Sequence, residues 1–469
     1  MMNSSIFSNM TTSDLKIVFN KIKNFLGDRF TTSVPIRENH GKDESYHEGF
    51  IPDAVAFVIN TEEVSKILSI CYQHSIPVVP FGAGTSLEGH IAAIKGGISI
   101  DLSNLNEIIQ VNVEDLDCRV MAGVTRNQLN NYLRDQGLFF PIDPGANATL
   151  GGMVATRASG TTAVKYGTMK DNVLSLKVVL ADGRVIETSK RARKSSAGYD
   201  LTRLFVGSEG TLGIITEVTI KLFGIPETKS VASCVFPNIE KAINSVIEVI
   251  QIGVPIARIE FADEVQIEAI NKFEKSSHEV LPTLWMEFHG SENSVREQSE
   301  IVQRITEQYN GSSFKWTSKI EEYNKLWKAR HNAAYAAAAL RPGCGIWATD
   351  VCVPISRLAD CILETKKQIQ SSSIPAPIVG HVGDGNFHVC FVVNPKNSAE
   401  INEVKKMNED LVFRAIEMDG TCTGEHGIGY GKVDYLVKEH GENTVDVMKS
   451  IKFSLDPRNI MNPGKVFRD

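Results

Sequence analysis

Two histidines, His381 and His388, bracket the short turn Gly383-Asp384-Gly385-Asn386, and a second cluster, Thr423-Gly424-Glu425-His426-Gly427-Ile428-Gly429, follows near the end of the chain. Together these segments offer two imidazoles and a carboxylate to a divalent cation, with one histidine to spare. Such a donor set suits Zn²⁺ or Mn²⁺, which would orient and activate a small oxygen-bearing substrate. Asp384, inside the turn, is placed to orient an imidazole.

The first half of the chain offers no such ligands and carries glycine-rich loops instead. The first is Gly82-Ala83-Gly84-Thr85-Ser86-Leu87-Glu88-Gly89. Leu87 stands where a nicotinamide-binding fingerprint needs its third glycine, and the surrounding rhythm is not βαβ. Small residues still let backbone N–H groups approach a pyrophosphate, and Thr85 and Ser86 add hydroxyl donors. A second loop runs through Gly151-Gly152-Met153-Val154-Ala155-Thr156 and Ala158-Ser159-Gly160, closed by Tyr166-Gly167, and a third is Gly207-Ser208-Glu209-Gly210-Thr211-Leu212-Gly213-Ile214. Three such loops suit a long phosphate-containing cofactor. Gly431-Lys432 is not a phosphate loop, because His426 stands five residues before Gly431 and Val433 follows the lysine. A cofactor half beside a metal half reads as a redox enzyme.

These groups need a large scaffold. The chain has 469 residues, too many for one ordinary core. Apolar residues make up 42% and charged residues 22%, an ordinary globular balance, and 49 basic against 56 acidic residues give a net charge of −7. That balance disfavours nucleic acid as a partner and suits a small-molecule enzyme, or one docking a basic electron carrier. Eight cysteines with no CxxC spacing argue against an iron–sulfur cluster and for scattered buried thiols. No apolar run is long enough to span a bilayer. Near the start, Leu15, Val18, Phe19, Ile22, Phe25 and Leu26 make a helical stripe. The preceding residues are short for a complete targeting signal, so a transit peptide is weak or absent.

From Asp53 to about Phe223 short strands alternate with helices: strands at Ala54–Ile59, Val78–Pro80, Gly97–Asp101 and Arg119–Ala122, helices at Thr61–His74 and Arg126–Gln136, and a hairpin of Leu174–Leu180 with Val185–Thr188. Gly224-Ile225-Pro226 breaks this pattern. Beyond it, strands at Val231–Phe236, Ala257–Phe261 and Thr283–Phe288 alternate with amphipathic helices at Asn238–Gln251 and Glu292–Gln308, which predicts an antiparallel sheet with helices on one face. The tail from Ser398 is mostly helical. The expected organisation is a lead-in over 1–45, a cofactor domain over 46–225, a substrate and metal domain over 226–424, and a segment over 425–469 that returns to the cofactor.

In this order the three loops resemble the flavin-binding domain of the vanillyl-alcohol oxidase (PCMH) superfamily, an α+β fold. His381 to His388, Gly424-Glu425-His426-Gly427-Ile428-Gly429 and Asn462-Pro463-Gly464-Lys465-Val466 resemble its 2-hydroxyacid branch, the D-lactate, D-2-hydroxyglutarate and glycolate enzymes. Arg193-Lys194-Ser195-Ser196-Ala197-Gly198-Tyr199-Asp200-Leu201-Thr202, Arg341-Pro342-Gly343-Cys344 and Asp350 to Leu358 are similar to the mitochondrial D-lactate dehydrogenase family. The resemblance implies FAD contacts at Gly82, Gly84, Thr85 and Ser86, at Pro144, Gly145, Gly152, Thr156, Ser159, Gly160, Tyr166 and Gly167, at Glu209, Gly210, Gly213 and Ile214, and at Asn462 near the flavin ring. It implies His381, His388 and Glu425 as metal ligands, His426 as catalytic base, and Arg330 as the grip on the substrate carboxylate, with Arg341 as fallback. It further implies oxidation of D-lactate to pyruvate with hydride passing to flavin N5, electrons passed to cytochrome c or another carrier, and a mitochondrial or alternatively cytoplasmic location. Hydroxyglutarate or glycolate oxidation, or a structural flavoprotein subunit of an oxidase complex, are the competing expectations.

Three departures from the family pattern qualify this. Relatives with a covalent flavin carry a histidine about where Gly84 stands, so non-covalent FAD is expected. Hydroxyglutarate enzymes often have a polar residue where Cys390 stands, which disfavours a second substrate carboxylate. Close relatives have glycine near His90, a change without explanation at this level.

Overall fold

The computed structural model describes residues 12–468. The first eleven residues, where a targeting signal would begin, lie outside the described residues. The chain divides into two compact units. One comprises Met1–Ala158, Thr168–Ile225 and Glu425–Asp469; the other comprises Ser159–Gly167 and Pro226–Gly424. No helix among the described residues is long and apolar enough to cross a membrane.

The first unit holds a four-stranded sheet, a five-stranded sheet and a short pairing of Leu138–Phe139 with Phe223–Gly224. In the four-stranded sheet, Ala54–Phe57 and Val78–Phe81 flank Ile98–Asp101 in parallel, and Phe30–Thr31 adds an antiparallel edge. Helix Thr61–His74 links the first two, started by the Asn60 side chain, which accepts from the Glu63 amide. Helix Thr12–Leu26 buries Val18, Ile22 and Leu26 in the same core, which also takes in Ile460 and Met461 from the chain's end. A residue such as Ile22, fully buried, contributes about 1.5–3 kcal/mol. The second sheet is antiparallel, ordered Ile108–Asn112, Asp117–Met121, Ile214–Lys221, Val173–Val179, Val185–Glu187. Part of the glycine-rich stretch is helical: Thr149 caps Leu150–Ala155 by accepting from the Gly152 amide.

The second unit is built on an eight-stranded antiparallel sheet. Its central strands run Thr283–Gly290, Arg258–Ala262, Ile378–His381, Asn386–Val393. Asn386–Val393 is buried at every position, so both faces of the sheet are covered rather than one. Long helices Ile239–Gln251, Glu292–Gln308, Leu358–Ile369 and Ser398–Glu417 pack on one another and, through Glu292–Gln308 and Ser398–Glu417, on the sheet. Helices Glu264–Glu274, Ile320–His331 and Ala333–Ala339 form a separate core with Ala262, Trp285, Val379 and Cys390. Strand alternation puts these last residues on the face that also carries Arg258, Glu260, Glu287, His381 and His388.

Candidate flavin and metal sites

Register explains how the two candidate ligand histidines meet. His381 lies opposite Asn386 and Val379 opposite His388, so the two imidazoles are diagonal neighbours on one face. Their ring centroids are 5.5 Å apart at 81°. The turn between them needs Gly385, whose φ is +81° and where a Cβ would strike the Val353 carbonyl. His388 donates Nδ1–H to the Thr349 carbonyl at 2.9 Å. Because a carbonyl only accepts, neutral His388 carries its lone pair on Nε2.

His381 has a carboxylate partner, Glu260, that its own sequence neighbourhood does not supply. Phe261 pairs with Gly380, and continuing that register sets Glu260 opposite His381, Nδ1 to Oε1 being 2.7 Å. The other Glu260 oxygen pairs with Arg330 at 2.5 Å. Burial opposes charge on Glu260, but His381 and Arg330 outweigh it and hold the carboxyl below its ordinary range. Arg330 Nε is buried with no partner among the described residues. Arg341 is committed elsewhere: its guanidinium forks onto Glu400 at 3.0 and 3.1 Å, which removes it as a carboxylate grip. Asp350 accepts from Asn386 and from Thr423, both at 2.8 Å. Gly424 lies against Asn386 and Asp350 so closely that a Cβ would collide with the Asn386 amide. Two imidazoles with oriented Nε2 atoms fit a cation of the zinc or manganese kind.

In the first unit two of the loop glycines are required by close packing on the protein itself. A Cβ on Gly82 would lie 2.5 Å from Thr149 Oγ1, and one on Gly210, at φ +73°, would collide with Pro80. The buried Ser208 hydroxyl meets no partner among the described residues. That hydroxyl, in a loop of small residues, fits a phosphate of a dinucleotide such as FAD. Ser86 Oγ donates to Asp43 at 2.8 Å, so its single proton is engaged. Thr156 Oγ1 donates to the Gly152 carbonyl at 3.1 Å. Gly145 has open space about it. Ser159, Gly160, Tyr166 and Gly167, from the same glycine-rich stretch, belong to the second unit. There the Tyr166 hydroxyl meets His289 Nδ1 at 2.7 Å, and burial with the Glu287 charge pushes its pKa to about 12.

The returning segment is tied to these loops within the first unit. Asn462 Nδ2 donates to the carbonyls of His90 at 3.1 Å and Glu209 at 2.8 Å. Glu209, expected at the cofactor, spends its carboxylate on the amides of Ile428 and Gly429 and on His90 at 3.2 Å. That pairing accounts for a histidine at position 90. Glu88 faces His47 at 3.1 Å, Lys432 at 3.2 Å and His426 Nδ1 at 3.7 Å. Burial disfavours its charge, yet Lys432, His426 and His47 pull its pKa to about 2. Sequence reasoning assigned no role to Glu88, Glu260 or Asp350. A lone carboxylate in the apolar run Ile256 to Ala262 was the available signal for Glu260.

The same fold occurs in p-cresol methylhydroxylase, 17% identical over 98% of both chains with a TM-score of 0.81, and in 4-ethylphenol oxidase from Gulosibacter chungangensis, 16% identical over 98% of both with 0.79. It is therefore the p-cresol methylhydroxylase type of FAD-binding fold. Residues 52–189 match the FAD binding domain family, and residues 225–466 match the C-terminal domain of FAD linked oxidases. The chain is 51% identical to a probable mitochondrial D-lactate dehydrogenase of Danio rerio, over 97% of this chain and 92% of that one. It is 48% identical to the mitochondrial D-lactate dehydrogenase (cytochrome) of Arabidopsis thaliana, over 96% and 80%. The chain belongs to the FAD-linked oxidases, in the D-lactate dehydrogenase family.

Proposed function

We propose that this enzyme oxidises D-lactate to pyruvate with non-covalent FAD and a divalent cation, Zn²⁺ or Mn²⁺, and passes the electrons to cytochrome c or another carrier. The carrying observation is the same-face pair His381 and His388, each engaged at Nδ1, in a chain so similar to D-lactate dehydrogenases. Residues 46–225 serve the cofactor, residues 226–424 the substrate and cation, and residues 425–469 return to the cofactor. The mitochondrial names of the relatives support a mitochondrial location.

Bound FAD supplies the hydride acceptor, and a cation on His381, His388 and Glu425 makes the substrate hydroxyl more acidic. Without such help an imidazole of pKa ~6.5 is a poor match for an alcohol. His426 takes the hydroxyl proton at Nε2, since its Nδ1 is the nitrogen near Glu88. Arg330, anchored by Glu260, binds the substrate carboxylate. Cys390, buried in the apolar cluster around Trp285, gives a second substrate carboxylate nothing to pair with. Steady-state cytochrome c reduction tests the substrate reading: kcat/KM for D-lactate should exceed that for glycolate, and the reverse order would reassign the substrate.

A further inference from the structure

We propose that Glu260 is a positioning residue that holds two functional groups at once, His381 as a metal ligand through one carboxylate oxygen and Arg330 as the substrate grip through the other. This rests on the reading of His381 and Arg330 given above. The Glu260 side chain is 0% exposed, so nothing but the protein determines its contacts. Its two oxygens are divided rather than shared: Oε1 lies 2.7 Å from His381 Nδ1 and Oε2 lies 2.5 Å from Arg330 Nη2. The three residues come from three elements, Arg258–Ala262, Ile320–His331 and Ile378–His381, so no local pattern forces them together.

Each contact has a chemical consequence. A carboxylate on Nδ1 keeps the proton there, directs the lone pair to Nε2 and makes that nitrogen a stronger donor. The same carboxylate fixes one edge of a guanidinium whose Nε is buried and finds no hydrogen-bond partner among the described residues. Other charged groups on this face are paired separately: Arg258 with Glu287 at 3.2 Å, and His289 also with Glu287. Glu260 is thus the carboxylate both His381 and Arg330 use. A bare counter-ion for Arg330 would need only one oxygen and would not have to reach His381. The arrangement ties the distance between cation and carboxylate grip to one side chain, as a 2-hydroxy acid with adjacent hydroxyl and carboxylate requires.

The test uses the full-length flavoprotein stripped of metal, with Zn²⁺ added alone in competition with a chromophoric chelator. Glu260→Gln should weaken zinc binding by about 10–100-fold, as loss of an orienting partner does, and should raise KM for D-lactate by about tenfold. Because Glu260→Gln leaves Arg330 buried without its partner, thermal stability should also fall. The double variant Glu260→Gln/Arg330→Met removes both charges. It should recover stability while zinc binding stays weak, and it replaces the single variant if that one does not fold. Recovery of zinc affinity along with stability would reduce Glu260 to a counter-ion and overturn the proposal. Unchanged zinc affinity in Glu260→Gln would overturn it while leaving the metal reading intact, and an unchanged KM would overturn its second half. Wild-type protein that takes up neither Zn²⁺ nor Mn²⁺, each titrated in the same way, would overturn the metal reading and the proposal together.

Discussion

Glu209 accepts the Ile428 amide at 2.7 Å although 219 positions separate the two residues. Its other oxygen accepts the Gly429 amide at the same distance, and His90 pairs with it from the side. The segment carrying His426 is therefore fastened to the third glycine loop by one buried carboxylate. The fit is close: Gly427 sits at φ +84°, and a Cβ there would lie 2.7 Å from His90 Nε2.

Glu209→Gln should destabilise the fold by about 3–5 kcal/mol, the usual result of removing one partner of a buried pair. The wild-type contribution should also depend on pH. His90 and the two amides hold Glu209 below its ordinary value against burial, and Glu209 raises His90 against burial. The stabilisation is complete between the unfolded values, about 4.3 and about 6.5. It is lost as pH falls through the depressed Glu209 value or rises through the raised His90 value. Denaturant midpoints across pH should show both flanks in wild type and neither from this pair in Glu209→Gln.

Heat or acid denaturation should release FAD into solution. Gly84 stands where a covalently flavinylated relative would have histidine, and a Cβ there would already press on the Phe81 ring at 3.1 Å. Flavin that stays with the precipitated chain would contradict non-covalent binding.

Helices with polar starts were readable because their signals are local: Ser291 caps Glu292–Gln308 and Asn238 caps Ile239–Gln251. The His381–His388 pair was readable because both residues flank one short turn, whose register sets them on one face. Helix Leu150–Ala155 was hidden by Gly151 and Gly152, poor helix formers, the first of which is required by close packing against Ala122. Strand Ile108–Asn112 was hidden because its outward positions are exposed and it lacks a clean alternation. Glu260, and the pairing that Glu209 makes, were out of reach for another reason. Their partners lie 121 and 219 positions away, and nothing local specifies which strand or loop will face them.

Exhaustive chelation should stop D-lactate from reducing the flavin while FAD remains bound, because the proposed ligands lie outside the glycine loops. His388→Ala should behave in the same way, and metal analysis of that variant should find the site depleted. Full activity in metal-free protein would remove the cation from the mechanism.

The neighbours Glu425 and His426 should separate cleanly. Glu425→Ala should lose metal, whereas His426→Ala should keep metal and substrate binding and slow flavin reduction by about 10²–10⁴-fold. Metal content beside single-turnover rates decides this. The opposite pattern would exchange the roles of ligand and base.

The most direct measurement is anaerobic mixing of the purified flavoprotein with D-lactate, L-lactate and D-2-hydroxyglutarate in turn, following the visible flavin absorbance. D-lactate should bleach the flavin rapidly and completely, and the other two should do so far more slowly. Equal or faster bleaching by D-2-hydroxyglutarate, or none by D-lactate in metal-replete protein, would contradict the assignment.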